Sequence, residues 1–357
     1  MKLYSVLRPL LFMMPPEMAH HLTLTALKWL HCLSCLPTQK TPATAVKLAG
    51  VTFPNRVGLA AGLDKNGDYL TPLAKLGFGF VEIGTITPKP QVGNPRPRLF
   101  RLIRNRSLIN RMGFNNHGLE HMLKRLKNNQ FKGTLGINIG KNNATSNEAS
   151  TEDYLLGLRA AYPYASYVTI NISSPNTPGL RQLQCGHYLS ELLNALKNSQ
   201  AKLTQQHQKY VPLFLKIAPD MTKEALYDIC HAISYYCIDG IIVTNTSISR
   251  EGLAPEPHVD EGGGLSGQAI TALANQTLTY VRNILPKPFP VIAVGGIMDA
   301  DDALKKVELG ADLVQLYTGL IYSGPSLIRQ CIRALEVFFT ETSATEGAKV
   351  DENLLRN

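Results

Sequence analysis

The sequence predicts a parallel α/β protein, a closed (β/α)8 TIM barrel carrying a small helical extension at its N-terminus. From residue 57 onward, short apolar runs rich in β-branched residues alternate with amphipathic stretches of helical length. Eight runs can be counted, at residues 57–62, 78–85, 134–140, 167–173, 211–219, 240–246, 290–296 and 313–319. Each is apolar nearly throughout, as expected of a strand buried on both faces, and each ends in glycine or polar residues. Eight strand-and-helix units in roughly 260 residues meet the requirement of a closed barrel. A doubly wound open sheet uses the same ingredients and stands as the alternative.

The 357-residue chain has room for one large domain with an appendage, and its 44% hydrophobic and 18% charged residues are those of a globular protein. Thirty-six Lys and Arg against 27 Asp and Glu give a net charge of +9, which favours anionic small molecules, an anionic membrane surface or nucleic acid. The basic residues are dispersed and no nucleic-acid motif is present, so nucleic acid is not an expected partner. Six scattered cysteines suit a reducing compartment. Cys32 and Cys35 form a C-x-x-C, but no second pair or His cluster completes a metal site, and they are read as two buried structural cysteines.

Taken in order, residues 1–40 form a first, helical unit. Leu3, Leu7, Leu10, Leu11 and Met14 precede the Pro15-Pro16 break, and Leu22, Leu24, Leu27, Trp29, Leu30 and Leu33 follow it. This pattern suits a helix pair in a membrane interface or lining a hydrophobic tunnel, and equally a hairpin docked on its own domain. No run reaches the length of about 18 residues that spans a bilayer. Residues 37–50, rich in Thr, Pro and Ala, read as a linker, 41–339 as the barrel, and 340–357 as a polar, frayed tail.

In a barrel the C-terminal strand ends carry the chemistry. Here they hold Ala61, Gly62 and Lys65; Thr85; Asn138; Asn171 to Asn176; Lys216; Thr244, Asn245 and Thr246; Gly295 and Gly296; and Tyr317, Thr318 and Gly319. Two lysines, repeated asparagines and paired glycines at one mouth suit a flat, polar, anionic ligand. The glycines after the last two strands suit a phosphate held by backbone N–H groups. The polar run Asn171 to Leu180 reads as a site or as an Asx-rich turn. Gly262 to Gly267 matches G-x-G-x-x-G as a string but follows an acidic loop instead of a strand, so it reads as a mobile loop leading into a helix. Residues 93–101 and 110–116 belong to a long insertion, and such insertions are usually functional.

Ala60 to Lys65, Glu82 to Thr85, Asn110 to Phe114, Asn171 to Gly179 and Ala293 to Ile297 together resemble dihydroorotate dehydrogenase, over about residues 3 to 335. In that family the base stands just before a Pro-Asn pair, as Cys in the soluble class and Ser in the membrane-associated, quinone-using class; here it is Ser174. The resemblance implies FMN across the mouth. Its phosphate would lie on Gly267, Gly295, Gly296, Tyr317 and Thr318, with Ala61, Gly62, Lys65, Thr85, Asn138, Asn171 and Thr244 around the rest and Lys216 at the flavin edge. Dihydroorotate would be held by Lys65, Asn110, Arg111, Met112, Gly113, Phe114, Asn171, Asn176, Asn245 and Thr246, with Thr177 relaying the proton from Ser174.

The same resemblance turns residues 1–36 into a membrane-facing quinone tunnel with His20 and Arg101 beside it. It implies a monomeric bacterial enzyme of pyrimidine biosynthesis, peripheral on the cytoplasmic face of the inner membrane. A soluble fumarate- or NAD-linked relative would carry Cys at 174, and a non-redox phosphate-binding barrel would be colourless.

Overall fold

The computed structural model describes residues 2–35, 45–128 and 131–354, with side chains for 4–35, 45–128 and 131–342. Its strands are β1 (Val46–Leu48), β2 (Val51–Phe53), β3 (Val57–Leu59), β4 (Phe80–Ile86), β5 (Leu99–Leu102), β6 (Ser107–Asn110), β7 (Thr134–Ile139), β8 (Tyr167–Asn171), β9 (Leu213–Ile217), β10 (Gly240–Val243), β11 (Gly264–Gly267), β12 (Val291–Val294) and β13 (Leu313–Leu316). Eight of them, β3, β4, β7, β8, β9, β10, β12 and β13, close into a barrel of parallel strands, one from each predicted run. Pairing of β13 with β3, Val314 opposite Val57, closes the ring and excludes the open sheet. The strands stop short of the predicted runs because the terminal glycines and polar residues turn into the mouth loops.

Below the mouth the barrel is filled by aromatic rings. Phe53, Phe80, Tyr167 and Phe214 are fully buried, with Phe53 edge-on to Phe80 at 5.1 Å and Tyr167 edge-on to Phe214 at 5.4 Å. Glycine on neighbouring strands makes room: a Cβ on Gly136 would stand 2.3 Å from the Tyr167 ring, and one on Gly240 2.3 Å from the Phe214 ring. The antiparallel hairpin of β1 and β2 packs Val46, Leu48 and Val51 against this cluster and delivers Phe53 into it. Part of the expected linker is therefore this hairpin, which closes the lower end of the barrel; residues 37–44 of it lie outside the described residues.

Three features depart from expectation at other points. Gly264–Gly267 is no loop but a strand, the edge of an antiparallel sheet ordered β11-β6-β5 that the insertion builds beside the mouth. Cys32 and Cys35 are exposed at the end of the second helix, not buried. The last helix runs Ser326–Leu354, through most of the stretch read as a frayed tail.

Helix α1 (Lys2–Met13) ends before Pro15, and α2 (Pro16–Cys32) starts with proline at its first position, where the missing N–H costs nothing. Arg8 donates to the Tyr322 carbonyl at 2.8 Å, and Arg101 gathers the carbonyls of Leu11, Phe12 and Met14, so α1 is tied to the barrel through its polar groups. Few of its apolar groups follow. Val6, Leu7, Leu10, Met13, Met18, Leu22, Trp29, Leu30 and Leu33 are exposed, whereas Ala19 and Leu24 are the buried apolar residues of α2. No helix among the described residues is long and apolar enough to cross a membrane.

Candidate active site

One cavity opens at the C-terminal ends of the strands. Its wall takes Ala61, Gly62 and Lys65 from the loop after β3, Thr85 from β4, Asn171, Ser174 and Asn176 from β8 and its exit, and Lys216 from β9. Thr244, Asn245 and Thr246 follow β10, Gly295 and Gly296 follow β12, and Tyr317 and Thr318 follow β13. The small sheet adds Asn110, Met112, Gly113, Phe114 and Gly267, and α2 adds Glu17 and His20.

The amides form a continuous layer beneath this wall. Thr85 Oγ1 donates to Asn138 Oδ1 at 2.6 Å, and Asn171 Nδ2 donates to both Thr85 Oγ1 at 2.9 Å and Asn138 Oδ1 at 3.2 Å. Asn245 Nδ2 reaches Asn171 Oδ1 at 3.3 Å and Ser173 Oγ at 3.0 Å. Asn138 Nδ2 continues downward to the buried Glu82 carboxylate at 2.8 Å, which also accepts from Tyr167 and Gln315. Buried amides held by two or more partners are fixed in orientation, so they present a rigid pattern of donors and acceptors. The polar run after β8 is thus part of a site, and its loop is pinned by Arg181, which donates to Ser173 O, Asp220 and Thr246 O.

Neither lysine of the wall has an ion-pair or hydrogen-bond partner among the described residues. Lys216 is 5% exposed; burial pushes its ammonium below the ordinary value, and the charge of Glu82 offsets part of that. Burial likewise pushes Lys65 down to about 8, with the charge of Arg98 adding to the effect. Unpaired cations held in a desolvated cavity call for an anionic ligand. At the end of β12, midway round the barrel between the strands that carry the two lysines, and on β11, Gly295, Gly296 and Gly267 all take positive φ, and a Cβ on Gly296 would stand 2.4 Å from Thr271 Oγ1. That wall is bare backbone, open to close approach by a phosphate. An elongated anion with a flat polar ring fits the whole: phosphate at the glycines, ring over the amide layer, charge toward the lysines.

Ser174 is 7% exposed, and its Oγ accepts the Asn176 N–H at 3.3 Å. Thr177 Oγ1 is buried with no partner among the described residues. His20 lines the cavity beside Lys65, and burial pushes its imidazole down to about 3, so it is neutral across physiological pH.

Four expected residues lie off the wall. Asn138 stands one layer deeper, bonded to Glu82, and Thr177 is buried and does not line the cavity. Arg111 turns away, pairing with Glu261 at 2.6 Å and lying over the Phe100 ring. Arg101 binds the end of α1 and lies 4.7 Å from the Phe12 ring centre. The direction of Arg111 was readable from strand alternation, since Leu108, Asn110 and Met112 share the cavity side and Ile109 and Arg111 the other. Glu17 and Gln315 belong to the wall and were not anticipated; Gln315, the polar residue inside the apolar run of β13, could have been found from that break, whereas nothing local marks Glu17, whose partners come from distant segments.

The geometry agrees with what the chain is similar to. The family model described as dihydroorotate dehydrogenase matches residues 43–339. The dihydroorotate dehydrogenase (quinone) of Neisseria meningitidis serogroup B is 50% identical over 333 residues, covering 93% of this chain and 99% of the relative. That of Acinetobacter baylyi is 51% identical over 335 residues, with coverage of 93% and 99%. Among solved structures, the DHODH of Eimeria tenella in complex with ferulenol superposes with a TM-score of 0.84 at 37% identity, over 92% of this chain and 93% of that one. With the closed barrel, the amide layer and the matched segment in agreement, this chain belongs to the dihydroorotate dehydrogenase family, a family of oxidoreductases.

Proposed function

We propose that the protein oxidises (S)-dihydroorotate to orotate, with FMN as the bound hydride acceptor and a membrane quinone as the final oxidant. The observation that carries this reading is the meeting of Ser174 with two unpaired lysines and a fixed amide layer in one cavity. FMN, when bound, would supply the hydride acceptor for C6 of the substrate and the two-electron donor for quinone. Every other task falls to side chains of this chain.

Ser174 removes the C5 proton. A serine hydroxyl needs an outlet for that proton, and the buried hydroxyl of Thr177, unpartnered among the described residues, supports its reading as the relay. Lys65 receives the substrate carboxylate, and the amides of Asn110, Asn171, Asn176 and Asn245, with Thr246, match the ring carbonyls and N–H groups. Lys216 supplies positive charge where negative charge builds up on reduction of the flavin ring. Quinone approaches past His20 between α1 and α2, whose exposed apolar side chains suit peripheral contact with the cytoplasmic face of a bacterial inner membrane. The (quinone) designation of the bacterial relatives and the serine at 174 support this acceptor over a soluble one.

The test is the visible spectrum of the purified protein without oxygen. Flavin bands should bleach on adding dihydroorotate and return on adding a short-chain quinone. A protein that binds no flavin even after FMN reconstitution would overturn the proposal.

A further inference from the structure

The wall residue Glu17 belongs to a chain of contacts that no single motif suggests. Arg98, 5% exposed, grips the Glu17 carboxylate with its Nε and its second terminal nitrogen, the latter at 2.7 Å. Its other terminal nitrogen donates to the carbonyls of Val92 at 2.6 Å and Asn94 at 3.0 Å. Asn94 in turn donates from Nδ2 to the Asn176 carbonyl at 3.2 Å, and Asn176 Nδ2 donates to Asn110 Oδ1 at 3.2 Å. The Asn176 N–H meets Ser174 Oγ. Burial alone would lift the Glu17 carboxyl, but the bonds from Arg98 and Arg96 hold it below its ordinary value, so it is charged at neutral pH.

We propose that Arg98 is a positioning residue that ties the quinone-side helix α2 to the dihydroorotate-binding side chains, so that docking of α2 sets the geometry around Ser174. A planar fork bonded on one edge to a carboxylate and on the other to two carbonyls allows little rotation, which makes the strut stiff. Arg96 also touches Glu17, at 3.1 Å, but its side chain is 67% exposed and has no link to Asn94, so it stands outside the strut. The inference rests on the functional reading above.

The test uses FMN-loaded full-length protein and reads the orotate dissociation constant from the perturbation of the flavin spectrum. Glu17→Gln, on α2 and not among the proposed orotate contacts, should weaken orotate binding about five- to tenfold, against the opposite effect of removing a negative charge near Lys65, and slow anaerobic bleaching by dihydroorotate by a similar factor. Arg96→Ala should change neither by more than about twofold. Asn94→Ala, which cuts the strut at its middle without touching α2, should reproduce the Glu17→Gln loss and stands in for it if that variant fails to hold FMN. An unchanged orotate constant in either strut variant, with only the quinone KM altered, would overturn the proposal. If the unaltered protein gives no spectral response to orotate, it is the functional reading that fails.

Discussion

At the lower end of the barrel the inward positions are Phe80, Tyr167 and Phe214; further along the same strands they are Thr85, Asn171 and Lys216. On β8 and β9 the ladder of alternating side chains thus changes from aromatic to amide and ammonium within a few residues, and on β4 a register shift between Ile83 and Ile86 brings Thr85 to the same layer. The Glu82 carboxylate marks the border, accepting from Tyr167 below and Asn138 above. The aromatic end gains its stability from burial and shape. The polar end holds two desolvated cations without partners among the described residues, which costs stability and leaves their charge for a ligand. The contrast shows where this molecule keeps its rigidity and where it keeps its chemistry.

Substitutions at the two ends should therefore separate rate from stability. The largest effect is expected from Ser174→Ala, which should slow anaerobic flavin reduction by dihydroorotate about 10²- to 10⁴-fold while leaving bound FMN and the melting temperature unchanged. Stopped-flow absorbance measures the first, and a thermal melt the second. Phe214→Ala, at the other end, should cost about 3–5 kcal/mol in denaturant unfolding while the folded fraction keeps its dihydroorotate KM. A variant that lost affinity but not stability would show that the aromatic plug is part of the site.

The pH response of Lys65 sharpens the same contrast. Its folded pKa, about 8, lies below the ordinary 10.5, so between those values the unfolded chain holds more protons and ligand-free stability should rise with pH. Over the same window orotate affinity should fall, up to about tenfold per pH unit, as the ammonium loses its charge. Lys65→Met should flatten both curves; titrations that keep their slope in that variant would assign the effect to another group. The smallest effect is expected at His20. Because its imidazole is neutral above about 3, the quinone half-reaction should show no step near the ordinary histidine pKa that His20→Gln removes.

Much of this was legible in the chain itself. Parallel strands covered by helices read as unbroken apolar runs, so all eight barrel strands stood out, and their polar ends named most of the cavity wall. Short antiparallel strands lack that signal. Val46–Leu48 and Val51–Phe53 have three residues each, too few for a period, and Gly264–Gly267 has glycine at both ends, so its pairing with β6 comes from the partner strand and not from its own composition. Cys32 and Cys35 were misplaced because the lack of a metal-ligand pattern was taken to mean burial, whereas the outer face of their helix is open. The Glu17 to Arg98 pair joins residues 81 positions apart, a distance at which sequence spacing carries no information about contact.

The hairpin beneath the barrel has a kinetic consequence. With that end closed by Phe53 and the rings around it, traffic to and from the reacting layer crosses one rim. On the proposed function, dihydroorotate and quinone would both reach the flavin from the rim side, and a flavin reduced by one before it is oxidised by the other would couple them as two separate half-reactions. Initial rates measured at several fixed quinone concentrations should accordingly give parallel double-reciprocal lines.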